Sequence, residues 1–114
     1  MNVSGRIDRH QATKWARWFR ALGEPTRVLI LNLLASERRP MTVGEITEAL
    51  DVGQSTISHH LARLAEARFV LVDQIATSSL WRVNDTCLER FPTVAELVMG
   101  RVPIEVGVVE DGAP

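Results

Sequence analysis

Apolar residues recur along the chain with two different periods, and the change of period marks its elements. Between about Arg9 and Leu22, the positions Ala12, Trp15, Ala16, Phe19 and Leu22 follow helical spacing, with Trp18 a further large aromatic beside that stripe. Three large aromatics exceed what one short surface helix needs. Gly23 ends the helix, and Glu24-Pro25 supplies an acidic N-cap followed by proline at the first helical position, so a second helix is predicted. Its run Val28, Leu29, Ile30, Leu31, Leu33 and Leu34 is apolar almost all round, as expected of a helix enclosed by others at the centre of a domain.

Pro40 breaks the pattern. Thr42-Val43-Gly44-Glu45 has the S/T-x-x-E form of a capping box and opens a short third helix with Val43, Ile46 and Leu50 on one face. After Asp51-Val52-Gly53, a fourth helix from about Gln54 to Ala67 places Ile57, Leu61 and Leu64 inward and leaves Gln54, Ser55, Ser58, His59, Ala62 and Arg63 outward. Phe69 to Ile75 and Leu80 to Asn84 read as strands, with Ala76-Thr77-Ser78-Ser79 as the hairpin tip. Asp85 to Phe91 allows a turn of helix that Pro92 interrupts, and Thr93-Val94-Ala95-Glu96 is a second capping-box pattern, from which the last helix is expected to start. Val94, Leu97 and Val98 share a face of it, Gly100 stops it, and Val102, Ile104, Val106 and Val108 alternate beyond. The expected organisation is a single domain over residues 1–101 and an acidic tail over 102–114.

The fold class that follows is mainly α with a small β-hairpin, in the order α-α-α-α-β-β-α. Two short helices joined by a three-residue turn, the second apolar inside and small and polar at its outer N-terminal end, form a helix-turn-helix pattern, and the hairpin behind it is a candidate wing. A helix that enters the major groove by its N-terminal end needs side chains that exchange hydrogen bonds with bases and phosphates there, and bulky apolar groups would clash. Gln54, Ser55, Thr56, Ser58 and His59 meet that need. The plainer alternative is a helical hairpin with a solvated outer face.

Composition narrows the function further. With 46% hydrophobic and 24% charged residues the chain is an ordinary globular one and not disordered. The net charge of −1 is unpromising for a nucleic-acid binder, but the charges are unevenly placed. Residues 1–68 hold ten Lys and Arg against seven Asp and Glu, and 69–114 hold three against seven, so the predicted reading part is net positive. Arg63 and Arg82 are the candidate phosphate contacts; Arg38 and Arg39 suit either phosphate contact or a solvated loop. No apolar run has the length of a membrane span and Met1 to His10 has no signal-peptide core, so a cytoplasmic protein without membrane partners is expected. Cys87 and His10 are the only candidates for nucleophile and base, far apart and without a glycine-rich loop, so no enzyme activity is expected.

Leu22-Gly23-Glu24-Pro25-Thr26-Arg27 closely resembles the L-A-D-P-T-R segment of arsenical-resistance (ArsR) type repressors, and Gln54-Ser55-Thr56-Ile57-Ser58-His59-His60-Leu61 resembles their recognition helix. Spanning roughly Trp15 to Val98, the resemblance implies a winged helix-turn-helix homodimer, joined through its first and last helices, that represses from a pseudo-palindromic operator in double-stranded DNA. Trp15, Trp18, Phe19, Val94, Leu97 and Val98 are the residues expected at that dimer interface, as more apolar surface than one small domain can hide. Asp51 and Gly53 replace the family's usual turn Gly and capping Ser, and both exchanges are tolerable. The wing tip lacks the family's Arg and Gly residues. Thr42 and Gly44 stand where metal sensors of the family carry Cys-x-Cys, and Asp85-Thr86-Cys87 is at most half of their other site, with Val98 and Arg101 at its remaining positions. No metal, cofactor or inducer is therefore assigned. Cys87 reads as a structural residue, although joining His10 across a dimer, or binding a thiophilic ion with its symmetry mate, are alternatives. A winged-helix module that binds protein in place of DNA is the alternative function.

Overall fold

Local side-chain chemistry starts nearly every helix. In the computed structural model, which describes residues 6–101, α1 (Arg9–Ala21) is opened by Asp8, whose carboxylate accepts from Gln11 N at 2.9 Å while Gln11 Oε1 accepts from Asp8 N at 3.0 Å. Glu24 caps α2 (Pro25–Glu37) by accepting from Thr26 N and Arg27 N. Thr42 and Glu45 form the expected reciprocal box at the start of α3 (Val43–Leu50). Among the described residues only α4 (Gln54–Glu66) begins without a side-chain cap, because its N-cap is Gly53. Asp51 closes α3 in the left-handed region at φ 55°, which an Asp tolerates better than most residues.

The hairpin pairs β1 (Val70–Ile75) with β2 (Ser78–Val83) antiparallel, Val70 opposite Val83 and Ile75 opposite Ser78. Its tip is two residues, Ala76-Thr77, and not the four expected. Ser78 and Ser79 join the ladder, Gln74 Nε2 donates to Ser79 Oγ at 2.8 Å, and Ala76 takes the tight turn with φ 56°. Met41, just before α3, pairs with Trp81 through two 2.8 Å backbone hydrogen bonds and ties the hairpin to the helix-turn-helix.

The last helix is α5 (Asp85–Val98), which runs straight through Pro92 instead of beginning after it. Asn84 caps it by accepting from Thr86 N, its Nδ2 also donates to Arg68 O, and Cys87, Val94 and Leu97 are buried on both sides of the proline. Packing of the two halves outweighs the one backbone hydrogen bond that Pro92 cannot make. Thr93 is consequently an interior residue and not a cap.

Ile30, Leu34, Ile46, Ile57, Leu61, Leu64, Phe69 and Val94 are inaccessible and form the centre. Two expectations change here. The second helix is not enclosed all round, for Val28 and Leu29 are about half exposed, at 47% and 51%. Of the six residues expected between subunits, Trp15, Trp18, Val94 and Leu97 are buried by the chain itself. The reason is an aromatic cluster: Trp18 lies 5.9 Å from Phe69 and 5.8 Å from Phe91, and its indole N–H donates to Ala67 O at 3.1 Å. Phe19 and Val98 retain 40% and 44% exposure, and Met99, next to Val98 in the chain, 75%. Residues 1–5 and the tail 102–114, with its alternating apolar residues, lie outside the described residues.

Candidate nucleic-acid interface

The reading end of α4 is built by contrast between its two faces. Ile57, Leu61 and Leu64 anchor it in the core, while Gln54, Ser55, Thr56, Ser58, His59 and Arg63 are exposed. Because Gly53 offers no side-chain acceptor, no cap occupies the N–H groups of the first turn, and the helix dipole leaves that end partly positive. Small hydroxyl and amide side chains around such an end suit a polyanion with base edges behind it.

The two cations expected to hold phosphate are each already matched within the chain. Arg63 Nη1 donates to both carboxylate oxygens of Glu66, at 2.9 and 3.1 Å, and Arg82 Nε donates to Asp73 at 2.9 Å across the hairpin. A phosphate therefore has to compete with a carboxylate for either guanidinium. Arg39 is similarly turned to Glu45, at 3.3 Å, and to Glu37, at 3.7 Å. The Thr42 backbone N–H, together with Arg39, holds the Glu45 carboxyl below its usual range despite partial desolvation.

Glu24, Arg27 and His60 link the two segments that carry the family resemblance. Arg27 Nε donates to Ala21 O at 2.6 Å, and Arg27 Nη1 lies 3.2 Å from His60 Nδ1. A guanidinium can only donate, so His60 Nδ1 is the acceptor wherever this contact is a hydrogen bond, and His60 Nε2 lies 3.8 Å from Glu24 Oε1. Some desolvation pushes the Glu24 carboxyl up, but the Thr26 and Arg27 N–H groups and the nearby positive charge outweigh it and leave it lowered. The buried His60 is thus a strut between α2 and α4, while its neighbour His59 faces outward. Spacing along one helix gives no hint of this strut, because its partners come from 33 and 36 residues away.

Cys87 is 1% exposed and burial pushes its thiol from an ordinary 9.0 to about 11. His10 lies exposed on α1, so a shared ion would first have to open the core. Among the described residues, no three His, Cys, Asp or Glu side chains come together as a metal site. Raising the thiol pKa means that the folded state holds its proton more tightly: that contribution is complete below pH 9 and is lost as the pH rises through about 11. The same change lowers the thiolate population about 100-fold at pH 8. Alkylation of the native protein by iodoacetamide at pH 8 should therefore run at least about 100-fold slower than in urea, and native labelling within tenfold of the unfolded rate would mean the thiol is accessible and reactive.

A family model described as "Bacterial regulatory protein, arsR family" matches residues 24–71, from the cap of α2 into β1. An HTH-type transcriptional regulator of Methanocaldococcus jannaschii is 39% identical over 85 residues, covering 75% of this chain and 91% of that protein. The chain belongs to the ArsR family of bacterial regulatory proteins. The transcriptional repressor SdpR of Bacillus subtilis is 34% identical over 71 residues, 62% of this chain and 77% of its own. Among solved structures, the homodimeric winged helix-turn-helix DNA-binding domain of a possible ArsR-family regulator from Mycobacterium bovis superposes with a TM-score of 0.65 at 25% identity, covering 88% of this chain and 94% of that one. As an ArsR-family transcriptional regulator this is a DNA-binding protein, with α3 and α4 as its helix-turn-helix and β1–β2 as its wing. No helix among the described residues is long and apolar enough to cross a membrane.

Proposed function

We propose that this protein is a cytoplasmic transcriptional repressor that, as a homodimer, occupies a pseudo-palindromic operator, one recognition helix entering the major groove of each half-site. The carrying observation is the exposed, uncapped, small-polar N-terminal half of α4 above a fully buried apolar face. SdpR is named a repressor and the Mycobacterium bovis domain a homodimer, and both support the reading. In this proposal Gln54, Ser55, Thr56, Ser58 and His59 read bases, and Arg63 and Arg82 exchange their in-chain carboxylates for phosphates. Phe19, Val98 and Met99, the exposed apolar residues at the end of α5 and on the neighbouring flank of α1, join the subunits over the core that Trp15, Trp18, Val94 and Leu97 complete from within. The proposal assigns no enzyme activity, metal, cofactor or inducer, and treats residues 102–114 as an appendage to the DNA-binding domain.

A mobility-shift titration against the protein's own promoter, with random DNA as competitor, tests the reading together with sedimentation at micromolar concentration. Sequence-selective binding by a dimer is expected. Phe19→Glu should give a folded monomer that has lost most operator affinity, since each half-site then binds alone. A wild-type monomer, or binding that random DNA competes away equally well, would favour a winged-helix module that docks on protein.

A further inference from the structure

A cavity lies toward the C-terminal end of α4, away from Gln54 and the other residues of its first turns. It measures about 380 Å³, within the range of small-molecule sites, and opens between the last turns of α1 and α4 and the first turn of α2. Four arginines line it: Arg17 and Arg20 from α1, Arg27 from α2 and Arg63 from α4. Glu66 is the single carboxylate on its wall, and Ala21 and Ala67 give it a small apolar floor.

The four guanidinium groups are differently committed. Arg63 is matched by Glu66, and Arg27 spends Nε on Ala21 O and Nη1 on His60. Arg17 and Arg20 have no ion-pair partner among the described residues, and both are exposed, so their forks are available to a ligand. Like charges brought to one concave surface with only one opposing acid leave it strongly positive. Planar guanidinium forks match carboxylate and phosphoryl oxygens two at a time. We propose that this pocket binds a small dianion or polyanion, a phosphorylated or polycarboxylate metabolite.

Two features favour a small ligand over the DNA backbone. Glu66 lies twelve residues beyond Gln54, about 18 Å along the helix axis, and a helix that enters the groove by its N-terminal end carries its far end away from the duplex. Arg17 and Phe19 are two residues apart and hence about 200° apart around α1, so the pocket opens on a different flank from the apolar surface at Phe19 and stays open in a dimer joined there. Arg63 is shared with the proposed phosphate contacts, so the site is carried by Arg17 and Arg20, which have no part in the proposed reading of the operator.

Thermal unfolding and calorimetric titration of the full chain with pyrophosphate and, separately, citrate, both at fixed ionic strength, test it. Saturable binding is expected for at least one, with the midpoint raised by several degrees at ten times Kd. The pyrophosphate arm identifies a phosphoryl ligand and the citrate arm a polycarboxylate one. The double variant Arg17→Ala/Arg20→Ala, at two exposed positions, should fold normally and lose the binding at least tenfold. Arg9→Ala/Arg101→Ala, which removes the same charge elsewhere, should keep it. The proposal is overturned if neither anion binds, or if both double variants bind alike. It is equally overturned if Arg17→Ala/Arg20→Ala leaves anion binding intact but flattens the salt dependence of DNA binding, which would make these arginines contacts to the DNA backbone.

Discussion

Trp18→Ala should remove about 3–5 kcal/mol of folding stability, a large fraction of what a domain of this size possesses. Trp18 is wholly inaccessible, bridges Phe69 and Phe91, and satisfies the Ala67 carbonyl at the end of α4. Truncation therefore opens a cavity at the junction of α1, α4, α5 and the start of the hairpin, and also strands a buried acceptor. Trp18→Phe keeps a ring but loses the N–H donor, and should recover more than half of the loss. Urea unfolding with an unchanged slope would measure both values. A cost below about 1 kcal/mol for the alanine variant would show that the aromatic cluster does not organise the chain, and would return Trp18 to the dimer-interface role that the sequence suggests.

Gln54→Ala should weaken binding to the cognate operator by about 1–3 kcal/mol for each base that the amide no longer reads, twice over in a dimer, and leave binding to random DNA almost unchanged. Ser58→Ala should act in the same direction. Arg63→Ala and Arg82→Ala should do the reverse, lowering affinity for all sequences and flattening the slope of log affinity against log salt. A free phosphate contact contributes about 0.9 to that slope, or about 1.8 per dimer. The Glu66 and Asp73 partners make this an upper bound, because each arginine gives up an ion pair when it takes a phosphate. If Gln54→Ala and Ser58→Ala both left the ratio of specific to random binding unaltered, α4 would not be the reading element.

The sequence announces best what is settled within one turn of helix. Thr42 with Glu45 and Glu24 with Pro25 place helix starts because their partners lie two or three residues away. Pro92 misleads for the opposite reason: what carries α5 through it is burial of Cys87, Val94 and Leu97 against other elements, which no local rule contains. The stripe that carries Trp15, with Trp18 beside it, marks residues that must be covered but not what covers them, so a cover within the chain is indistinguishable there from a second subunit. Val28 and Leu29 mislead the other way, apolar yet half exposed. In the candidate interface the outward face of α4 is legible from periodicity alone. The Arg63–Glu66 pair is also within reach of the sequence, being three residues apart on a helix, whereas Arg82–Asp73 needs the hairpin register and the arginine pocket needs α1 laid beside α4.

The two hydrogen bonds between Met41 and Trp81 fasten the base of the hairpin to the residue that leads into α3. In a protein bound to DNA, such a fastening turns the wing and the recognition helix into a fixed caliper. The span between the groove entered by α4 and the backbone reached by the hairpin is then set by the protein and not adjusted to each target. One extra base pair inside a half-site would move the second point by about 3.4 Å and rotate it by about 34°, and a rigid caliper cannot follow both displacements. Tolerance for variable spacing would have to reside between the two subunits of the proposed dimer, whose joint would be a surface of side chains and not a pair of backbone bonds.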